Sequence, residues 1–432
     1  MGWLLDGVYG AGLIAVSPWL LARSHRRRLL PARILGRGIP SRPEGIVVWF
    51  HGVSVGEVII LETLLKAFRQ ARPDVHAIVS TSTDTGMSEA LKRHADFQPF
   101  PFPFDFSNTV SYALDRLQPD LIVLAESELW PNFLNAVHRR GIPLAVINAR
   151  MSPRSLKRWK WAKGLANWLF PKVSAWAAQQ PEHARSLVEL GVDPQRVQVT
   201  GSVKFDHASQ SSQSAKVQEL RNWLDLAEGE LLWVAGSTQP GEEKLCLDAF
   251  DALHREFPAL RLAIVPRDAS RGGEIANLAR ARGFTTHQRS QNDSTKKEKP
   301  VFVVDTIGEL AALWNLASFA LVGGSFDGKR GGQNMIEPAA QGLVGIFGPH
   351  VWNFQAIAKA LVEGGHADMV RDPANLTAVM HAQLADPQKR AQRGAKAKSF
   401  VASQQGATRR TVAMLEGLLP PPLSAALGAA AS

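Results

Sequence analysis

The chain has 432 residues, of which 45% are hydrophobic and 20% charged; this is a globular composition, in a chain too long for one ordinary core. Its single cysteine, Cys246, excludes an intrachain disulfide framework and is typical of a reducing compartment. The formal net charge of +10 favours anionic partners: nucleic acid, anionic lipid or a phosphorylated substrate.

The positive charge is concentrated in two segments. Residues 1–44 carry seven arginines against two acids, and residues 151–176 carry six lysines or arginines and no acid. Within the first, Trp3 to Ala22 is mostly apolar and about 30 Å long as a helix, and arginines follow it. We expect residues 1–44 to attach the chain to a membrane, spanning it or lying in its interface, with the remainder on the cytoplasmic side. A soluble basic extension is the alternative.

From residue 45 onward, short apolar runs alternate with longer amphipathic ones, such as the predicted helix 57–72. Apolar runs without internal alternation, spaced by helices, indicate parallel sheets covered on both faces. The predicted strands are 46–50, 75–80, 121–125 and 144–147 in the first half, and 231–235, 262–265, 301–304, 319–322 and 344–347 in the second.

This rhythm predicts an α/β protein with two doubly wound, Rossmann-like domains facing a cleft. We assign residues 45–206 to an N-terminal domain, 207–230 to a connection rich in Ser and Gln, 231–419 to a C-terminal domain and 420–432 to a frayed tail. Ligands of such sheets bind beyond the carboxyl ends of the strands, so we expect the site in the cleft.

Polar residues follow several predicted strands of the first half. In His51-Gly52-Val53-Ser54-Val55-Gly56-Glu57, the carboxylate of Glu57 falls in the first turn of a helix, whose dipole favours its charge. It can act as a general base or simply cap the helix. Glu126 and Glu128 form an acidic pair after the third strand, for a site or an ion pair, and Thr83 can bind a polar substrate or cap a helix.

The second half has a glycine-rich segment, Gly323 to Ala339, between a predicted strand and a helix. Backbone N–H groups of such a turn can approach a phosphate, and Glu337 can accept hydrogen bonds from ribose; an ordinary glycine turn is the alternative. Arg267 after a strand, and Lys204 near the domain connection, suit a phosphate in the cleft, although each alone is more often a solvated charge.

No ligand spacing for a metal is visible, since there is one cysteine and no His-x-x-x-His pair beside carboxylates. The segment 154–163 interleaves basic residues with tryptophans, which suits a membrane interface. Single-stranded nucleic acid could also stack there, and a helix with a basic solvated face is the third interpretation.

Together these motifs resemble one family, the 3-deoxy-D-manno-octulosonic acid (Kdo) transferases of lipopolysaccharide synthesis. The resemblance runs from the N-terminus to about residue 410. It rests on HGVSVGE at 51–57, ESELWPN at 126–132, NARMSPRS at 148–155, TGSVKFD at 200–206, AGSTQPGEE at 235–243, GGQNMIEPAA at 331–340 and FGPHVWNF at 347–354.

The resemblance implies the two-Rossmann GT-B glycosyltransferase fold and an enzyme at the inner membrane that moves Kdo, with inversion, from CMP-Kdo to the tetraacyl lipid A precursor. It implies that Glu57 is the general base, with Glu126 and Lys204 supporting the transition state. Residues implied to bind the donor CMP are Pro266, Arg267, Ile307, Gly308, Glu309, Asn334, Met335, Ile336 and Glu337. On the acceptor side the candidates are Ser54, Gly56, Thr83 and Arg154. No cofactor, metal or nucleic acid is expected; CMP-Kdo, the lipid A precursor and an anionic membrane surface are the expected partners.

The sequence departs from the family at Gln239 and Gln333, where His is usual, at Asp84, where Pro is usual, and at Ile307, where Met is common. Glutamine keeps hydrogen bonding but carries no charge. The alternatives are another membrane-associated GT-B nucleotide-sugar transferase or epimerase and, more remotely, a membrane-associated nucleic-acid-binding protein. The sequence leaves open the number of Kdo residues added and the oligomeric state.

Overall fold

The computed structural model describes residues 6–7, 9–10, 29–126, 129–209, 214–291 and 301–421. These form two compact units. The first contains the described residues up to Asp206 and those from Gln405 onward, and the second runs from His207 to Gln404.

The first unit is built on a sheet of seven parallel strands in the order β3-β2-β1-β4-β5-β6-β7. The strands are β1 (Ile46–His51), β2 (Val75–Thr81), β3 (Phe100–Pro101), β4 (Leu121–Ala125), β5 (Leu144–Ala149), β6 (Ala175–Ala178) and β7 (Val197–Val199).

Helices connect these strands, as parallel pairing requires, and further helices lie before β1 and after β7. They are α1 (Leu30–Leu35), α2 (Val55–Ala71), α3 (Asp84–Arg93), α4 (Ser107–Leu117), α5 (Pro131–Arg139), α6 (Pro153–Trp161), α7 (Lys163–Leu169), α8 (Pro181–Glu189) and α9 (Val203–Ser209).

Both faces of the first sheet are buried, which explains the unbroken apolar runs of its strands. On one face Trp49 packs against Phe100, Phe102 and Phe133. On the other, Phe50 lies in a core with residues of α2 and with Val412 and Leu415. Apolar residues of α2 at helical spacing, Val58, Leu61, Leu64, Leu65 and Phe68, are all buried.

The C-terminal helix α18 (Ala407–Glu416) completes the first unit. Its residues Val412 and Leu415 share a core with α2, and the carboxylate of Asp206 accepts hydrogen bonds from the N–H groups of Gly406 (2.7 Å) and Thr408 (2.6 Å). The residue at which the chain leaves this unit thus binds the segment that returns to it.

The second unit contains another seven-stranded parallel sheet, in the order β10-β11-β9-β8-β12-β13-β14. The strands are β8 (Leu231–Thr238), β9 (Leu260–Pro266), β10 (Thr286–Gln288), β11 (Val301–Val303), β12 (Phe319–Val322), β13 (Gly345–Phe347) and β14 (Ala367–Met369).

Helices again cover both faces, around Trp233 and Phe250 on one side and Val234 and Trp314 on the other. They are α10 (Ser214–Leu224), α11 (Glu242–His254), α12 (Gly272–Arg280), α13 (Leu310–Trp314), α14 (Ile336–Ala340), α15 (Gln355–Glu363), α16 (Pro373–Ala385) and α17 (Pro387–Ser403).

Two domain boundaries differ from those expected. Residues 207–230 are more than a connection, because Leu220 and Leu224 of α10 belong to the core of the second unit. Residues from Gln405 onward, expected within the C-terminal domain 231–419, belong to the first unit. An amphipathic pattern tells which face of a helix is buried, but not which sheet it covers.

Of the predicted membrane-attachment segment, residues 1–44, the structure describes 6–7, 9–10 and 29–44; the apolar run Trp3 to Ala22 lies outside the described residues except for 6–7 and 9–10. There, Asp6 accepts a hydrogen bond from the N–H of Ser107 (2.9 Å), and the Tyr9 hydroxyl donates to Asp105 (3.0 Å). None of the helices in the described ranges is both long and apolar enough to traverse a lipid bilayer.

Candidate active site

Glu57 lies in the first turn of α2, directly after β1. Its carboxylate accepts hydrogen bonds from the N–H groups of Val53 and Ser54 (3.2 Å to the latter) and from the Ser54 hydroxyl (3.3 Å). Ser54 and Glu57 form a capping box, in which each side chain binds the other's backbone N–H. The carboxylate is thus fixed at the strand end by the helix-capping role considered from the sequence, and its role as a base stays a prediction.

The loop before α2 is held against the loop after β2. The hydroxyls of Thr81 (3.0 Å) and Thr83 (2.9 Å) both donate to the carbonyl of Val53, and Thr83 also caps α3. A Cβ on Gly52 would lie 3.1 Å from both Glu57 and Leu61, so glycine permits this close approach. Thr83, an acceptor-side candidate, therefore supports the loop that carries Ser54 and Glu57.

The other two predicted catalytic residues lie near one another. Glu126 follows β4 and Lys204 follows β7, and Lys204 Nζ is 3.9 Å from Glu126 Oε1, with about a quarter to a third of each side chain exposed. Glu126 has a φ of 60°, a region that few residues other than glycine adopt and that is often found at functional sites. Glu128, the second member of the predicted acidic pair, lies outside the described residues.

Asn148, at the end of β5, is a residue to which the sequence analysis gave no role. Its side chain is fully buried, and neither its amide nitrogen nor its amide oxygen has a hydrogen-bond partner among the residues that the structure describes. Its φ is 51°, so left-handed residues stand at the ends of neighbouring strands, β4 and β5. Since buried polar groups are nearly always paired, this amide is a candidate for contact with a ligand or water. Its place in the run NARMSPRS was the only signal in the sequence.

The remaining acceptor-side candidates are more exposed. Gly56 is exposed in the first turn of α2, where a Cβ would make an ordinary van der Waals contact with the Ser54 hydroxyl oxygen at 3.9 Å. Arg154 is exposed near the start of α6, and its guanidinium makes no hydrogen bond or ion pair with the residues that the structure describes. The structure therefore brings Ser54, Glu57 and Thr83 together and leaves Arg154 without a bond to them.

In the second unit, the glycine-rich segment after β12 is organised around Glu242, at the start of α11. One carboxylate oxygen accepts from the N–H groups of Gln239 (2.9 Å) and Gly324 (2.8 Å), and the other from those of Ser325 (3.0 Å) and Phe326 (3.1 Å). The glycine pattern predicted that N–H groups of this turn face a phosphate. At residues 324–326 that expectation is wrong, because an internal carboxylate occupies the position.

The same segment then folds back and presents the predicted donor residues. The N–H of Gly332 donates to Gly324 (2.7 Å) and that of Gln333 to Gly323 (3.2 Å). Beyond this pairing, Asn334 donates to the carboxylate of Glu337 at 2.9 Å, and burial raises the pKa of Glu337. Met335 and Ile336 are buried, so contact with a ligand falls to their backbone or to their neighbours.

Arg267 lies just beyond β9. Its N–H donates to the carbonyl of Thr238 at 3.0 Å, which joins the ends of β8 and β9. Pro266 is buried, whereas the side chain of Arg267 is exposed and forms no hydrogen bond or ion pair within the described part of the chain. The guanidinium is thus placed at the strand end, as expected, and is available to an anion.

The third donor segment precedes α13. Ile307 is 91% exposed, and Gly308 has a φ of 89°. Glu309, by contrast, is buried and pairs with Lys216 (2.7 Å) and Arg289 (3.1 Å). Burial raises its pKa, but the hydrogen bonds from Arg289, Lys216 and Thr306 outweigh this and bring it below the usual range. The Glu309 carboxylate is therefore already committed to internal partners.

Comparison with known proteins identifies the family. Residues 24–207 match the family described as 3-Deoxy-D-manno-octulosonic-acid transferase (kdotransferase). A 3-deoxy-D-manno-octulosonic acid transferase of Bordetella pertussis is 32% identical over 434 residues, which cover 96% of this chain and 99% of the relative. One of Chlamydophila psittaci is 31% identical over 381 residues, 87% of this chain and 86% of the relative.

The fold also has counterparts among solved structures. The UDP-GlcNAc 2-epimerase of Neisseria meningitidis, solved with UDP-GlcNAc bound, matches 86% of this chain and 99% of its own with a TM-score of 0.58. At 11% identity, this similarity concerns the fold alone. The sequence relatives carry the assignment: the chain belongs to the 3-deoxy-D-manno-octulosonic acid (Kdo) transferase family of glycosyltransferases.

Proposed function

We propose that this protein transfers Kdo from CMP-Kdo to the tetraacyl lipid A precursor, with inversion at the anomeric carbon. Membership of the Kdo transferase family supports Kdo as the sugar that is transferred. The observation that carries the mechanism is the position of Glu57, Glu126 and Lys204 after three strands of one parallel sheet, with Lys204 Nζ 3.9 Å from Glu126 Oε1. Carboxyl ends of parallel strands are where such folds bind ligands.

In the proposed reaction, Glu57 removes the proton from a glucosamine hydroxyl of the acceptor. The hydroxyl oxygen then bonds to the anomeric carbon of Kdo, while the bond from that carbon to the phosphate oxygen breaks and CMP leaves with the electron pair. The proton ends on Glu57. The capping box supports this role because it holds the carboxylate in one place before substrate arrives.

We assign the charge that develops on the departing CMP to protein cations. Lys204 and the exposed guanidinium of Arg267 can each donate charge-assisted hydrogen bonds to phosphate oxygens, so the proposal needs no metal. We assign the cytidine and ribose to the segments 307–309 and 334–337. Among these, Glu309 acts by shaping its segment, because its carboxylate is bound to Lys216 and Arg289.

The proposed site of action is the cytoplasmic face of the inner membrane. The helices α6 and α7 support this, since Trp161 is 91% exposed among exposed basic side chains. An indole beside cations suits a bilayer interface with anionic headgroups. Sedimentation with phosphatidylglycerol vesicles tests it: Trp161→Ala should bind more weakly than wild type, and equal binding would remove this surface from the proposal.

The decisive experiment is mass spectrometry of the lipid product after incubation with CMP-Kdo and the tetraacyl lipid A precursor. We expect a mass increase of one or more Kdo units, which also gives their number. Parallel incubations replace CMP-Kdo with UDP-sugars. Transfer or epimerisation of a UDP-sugar, with no transfer of Kdo, would favour another nucleotide-sugar enzyme and overturn the proposal.

A further inference from the structure

Glu242 is bound in a way that no other carboxylate discussed above matches. Its side chain is 2% exposed, and its two oxygens accept four backbone N–H groups at 2.8–3.1 Å. A carboxylate has about four acceptor positions, so the backbone satisfies them all. Three of the donors come from the glycine-rich segment more than 80 residues away in sequence, which makes this contact a tertiary one.

Two segments assigned to the donor site are connected to this carboxylate through the loops that it holds. Gln239 N–H ties it to the loop after β8, and the carbonyl of Thr238 in that loop accepts from Arg267. Its hydrogen bonds from residues 324–326 connect it to the segment after β12. In that segment, the carbonyls of Gly323 and Gly324 accept hydrogen bonds from the N–H groups of Gln333 and Gly332, which come just before Asn334. Glu242 therefore links Arg267 to the 334–337 segment through two short chains of backbone hydrogen bonds.

The packing leaves no room for an alternative arrangement. A Cβ on Gly323 would lie 2.6 Å from Glu242 Oε2 and 2.7 Å from the Cα of Thr238, so the two strand-end loops touch only because residue 323 is glycine. Ser325 also binds the loop after β13. Its hydroxyl oxygen accepts a hydrogen bond from the N–H of Gly348 (2.8 Å), and its backbone carbonyl accepts one from the N–H of His350 (3.0 Å). The carboxylate thus stands at the centre of four converging loops.

We infer that Glu242 is a positioning residue for the nucleotide donor: an internal anion that holds the strand-end loops of the second unit in the shape that binds CMP. The inference rests on the function proposed above and deepens it. Glu242 does not touch the donor, since its acceptor positions are filled by the protein. It acts by fixing Arg267 and the 334–337 segment relative to each other, and the donor phosphate must find its partners outside the N–H groups of residues 324–326.

The neighbouring residue supplies a matched control. Glu243 is 1% exposed and lies on the same helical turn, but it pairs with Arg271 (2.7 Å) instead of the loops. Glu242→Gln and Glu243→Gln therefore each neutralise a buried carboxylate whose two oxygens both accept hydrogen bonds. In Glu242→Gln an amide N–H₂ faces backbone donors, so the loops must rearrange.

The test is calorimetric binding of CMP to the full chain, with melting temperatures and the KM values for CMP-Kdo and acceptor measured alongside. Both variants should melt lower than wild type. Glu242→Gln should bind CMP at least tenfold more weakly and raise the KM for CMP-Kdo by a similar factor, with the acceptor KM unchanged. Glu243→Gln should bind CMP as wild type does.

Equal CMP affinity in the two variants would overturn the inference and leave the proposed function intact. Absence of CMP binding in the wild type would overturn both. Should Glu242→Gln fail to fold, Glu242→Asp keeps the charge and withdraws it by one methylene; it should weaken CMP binding several-fold, and wild-type affinity in that variant would overturn the inference.

Discussion

The carboxyl ends of the two sheets differ in how their polar groups are satisfied. In the second unit, Glu242 has all its acceptor positions filled by backbone N–H groups, and Glu309 is enclosed by cations. In the first unit, Glu126 and Lys204 are 3.9 Å apart and partly exposed, and the buried amide of Asn148 has no hydrogen-bond partner within the described ranges. Under the proposed function, the first edge would act on the substrate with groups that are still partly exposed, whereas the second would hold the donor with loops that are already bonded to one another.

The largest expected effect comes from the first edge. Glu57→Gln keeps the capping box, because glutamine also serves at that position, but removes the base. We expect turnover to fall by about 10³-fold, with CMP binding and melting temperature near wild type. Activity and calorimetric binding measure this.

Glu57→Ala is the companion variant. It should lose the same activity and, in addition, about 1 kcal/mol of unfolding free energy from the lost cap. Near-normal turnover in Glu57→Gln would mean that the carboxylate serves only the helix, and the contrast between the edges would disappear.

Next in size is the pair of Glu126 and Lys204. Lys204→Ala should lower kcat by about 10²-fold, since a cation that stabilises developing charge acts mainly in the transition state. The unfolding free energy should change by less than about 1 kcal/mol, because the ion pair is long and partly exposed. The control is Lys66→Ala, which breaks the ion pair between Lys66 and Glu62 elsewhere in the same unit and should leave kcat unchanged. An unchanged kcat in both would remove Lys204 from the mechanism.

Arg267→Ala probes the second edge. Loss of a charge-assisted hydrogen bond should weaken CMP binding by roughly 10-fold, with the acceptor KM and the melting temperature unchanged. Arg255, an exposed arginine in the same unit, provides the control, and Arg255→Ala should bind CMP normally. If CMP affinity is the same in both variants, the donor phosphate lies elsewhere.

The smallest expected effect concerns Asn148. Glycine tolerates its left-handed backbone, and Asn148→Gly removes a buried, unpartnered amide, so the unfolding free energy should stay within about 1 kcal/mol of wild type. Turnover should fall several-fold if substrate supplies the missing partners. Gln118→Gly relieves a similar φ of 42° at an exposed helix end and should leave activity unchanged. Full activity in Asn148→Gly would show that the amide is unused.

Apolar patterning predicted most of the central strands: β4 and β12 have the expected bounds, and β1, β2, β5, β8, β9, β11 and β13 differ from them by a few residues at their ends. The strands β3, β6, β7, β10 and β14 were not predicted, because two to four residues carry too little pattern. The hydrogen bonds of Glu242 were not predicted, for a different reason. Its partners Gly324 and Ser325 lie 82 and 83 residues away, and no local periodicity reports such a contact.

The catalytic candidates were located for a general reason: polar residues after buried strands converge at one edge of a parallel sheet. The binding partners of their side chains could not be predicted from the sequence. Sequence placed Glu57 at a helix start but left its two roles open, and it assigned Glu309 to the donor without revealing Lys216 and Arg289 beside it. Ion-pair partners depend on how separate helices pack.

The path of the chain has a consequence for how the protein is made. The second unit is one uninterrupted stretch, His207 to Gln404, whereas the first unit needs α18, which the ribosome synthesises after all of the second. The bonds from Gly406 and Thr408 to Asp206 cannot form until that helix emerges. The unit that carries the proposed base is therefore begun first and finished last, and until then the side of α2 that packs on Val412 and Leu415 remains open to chaperones.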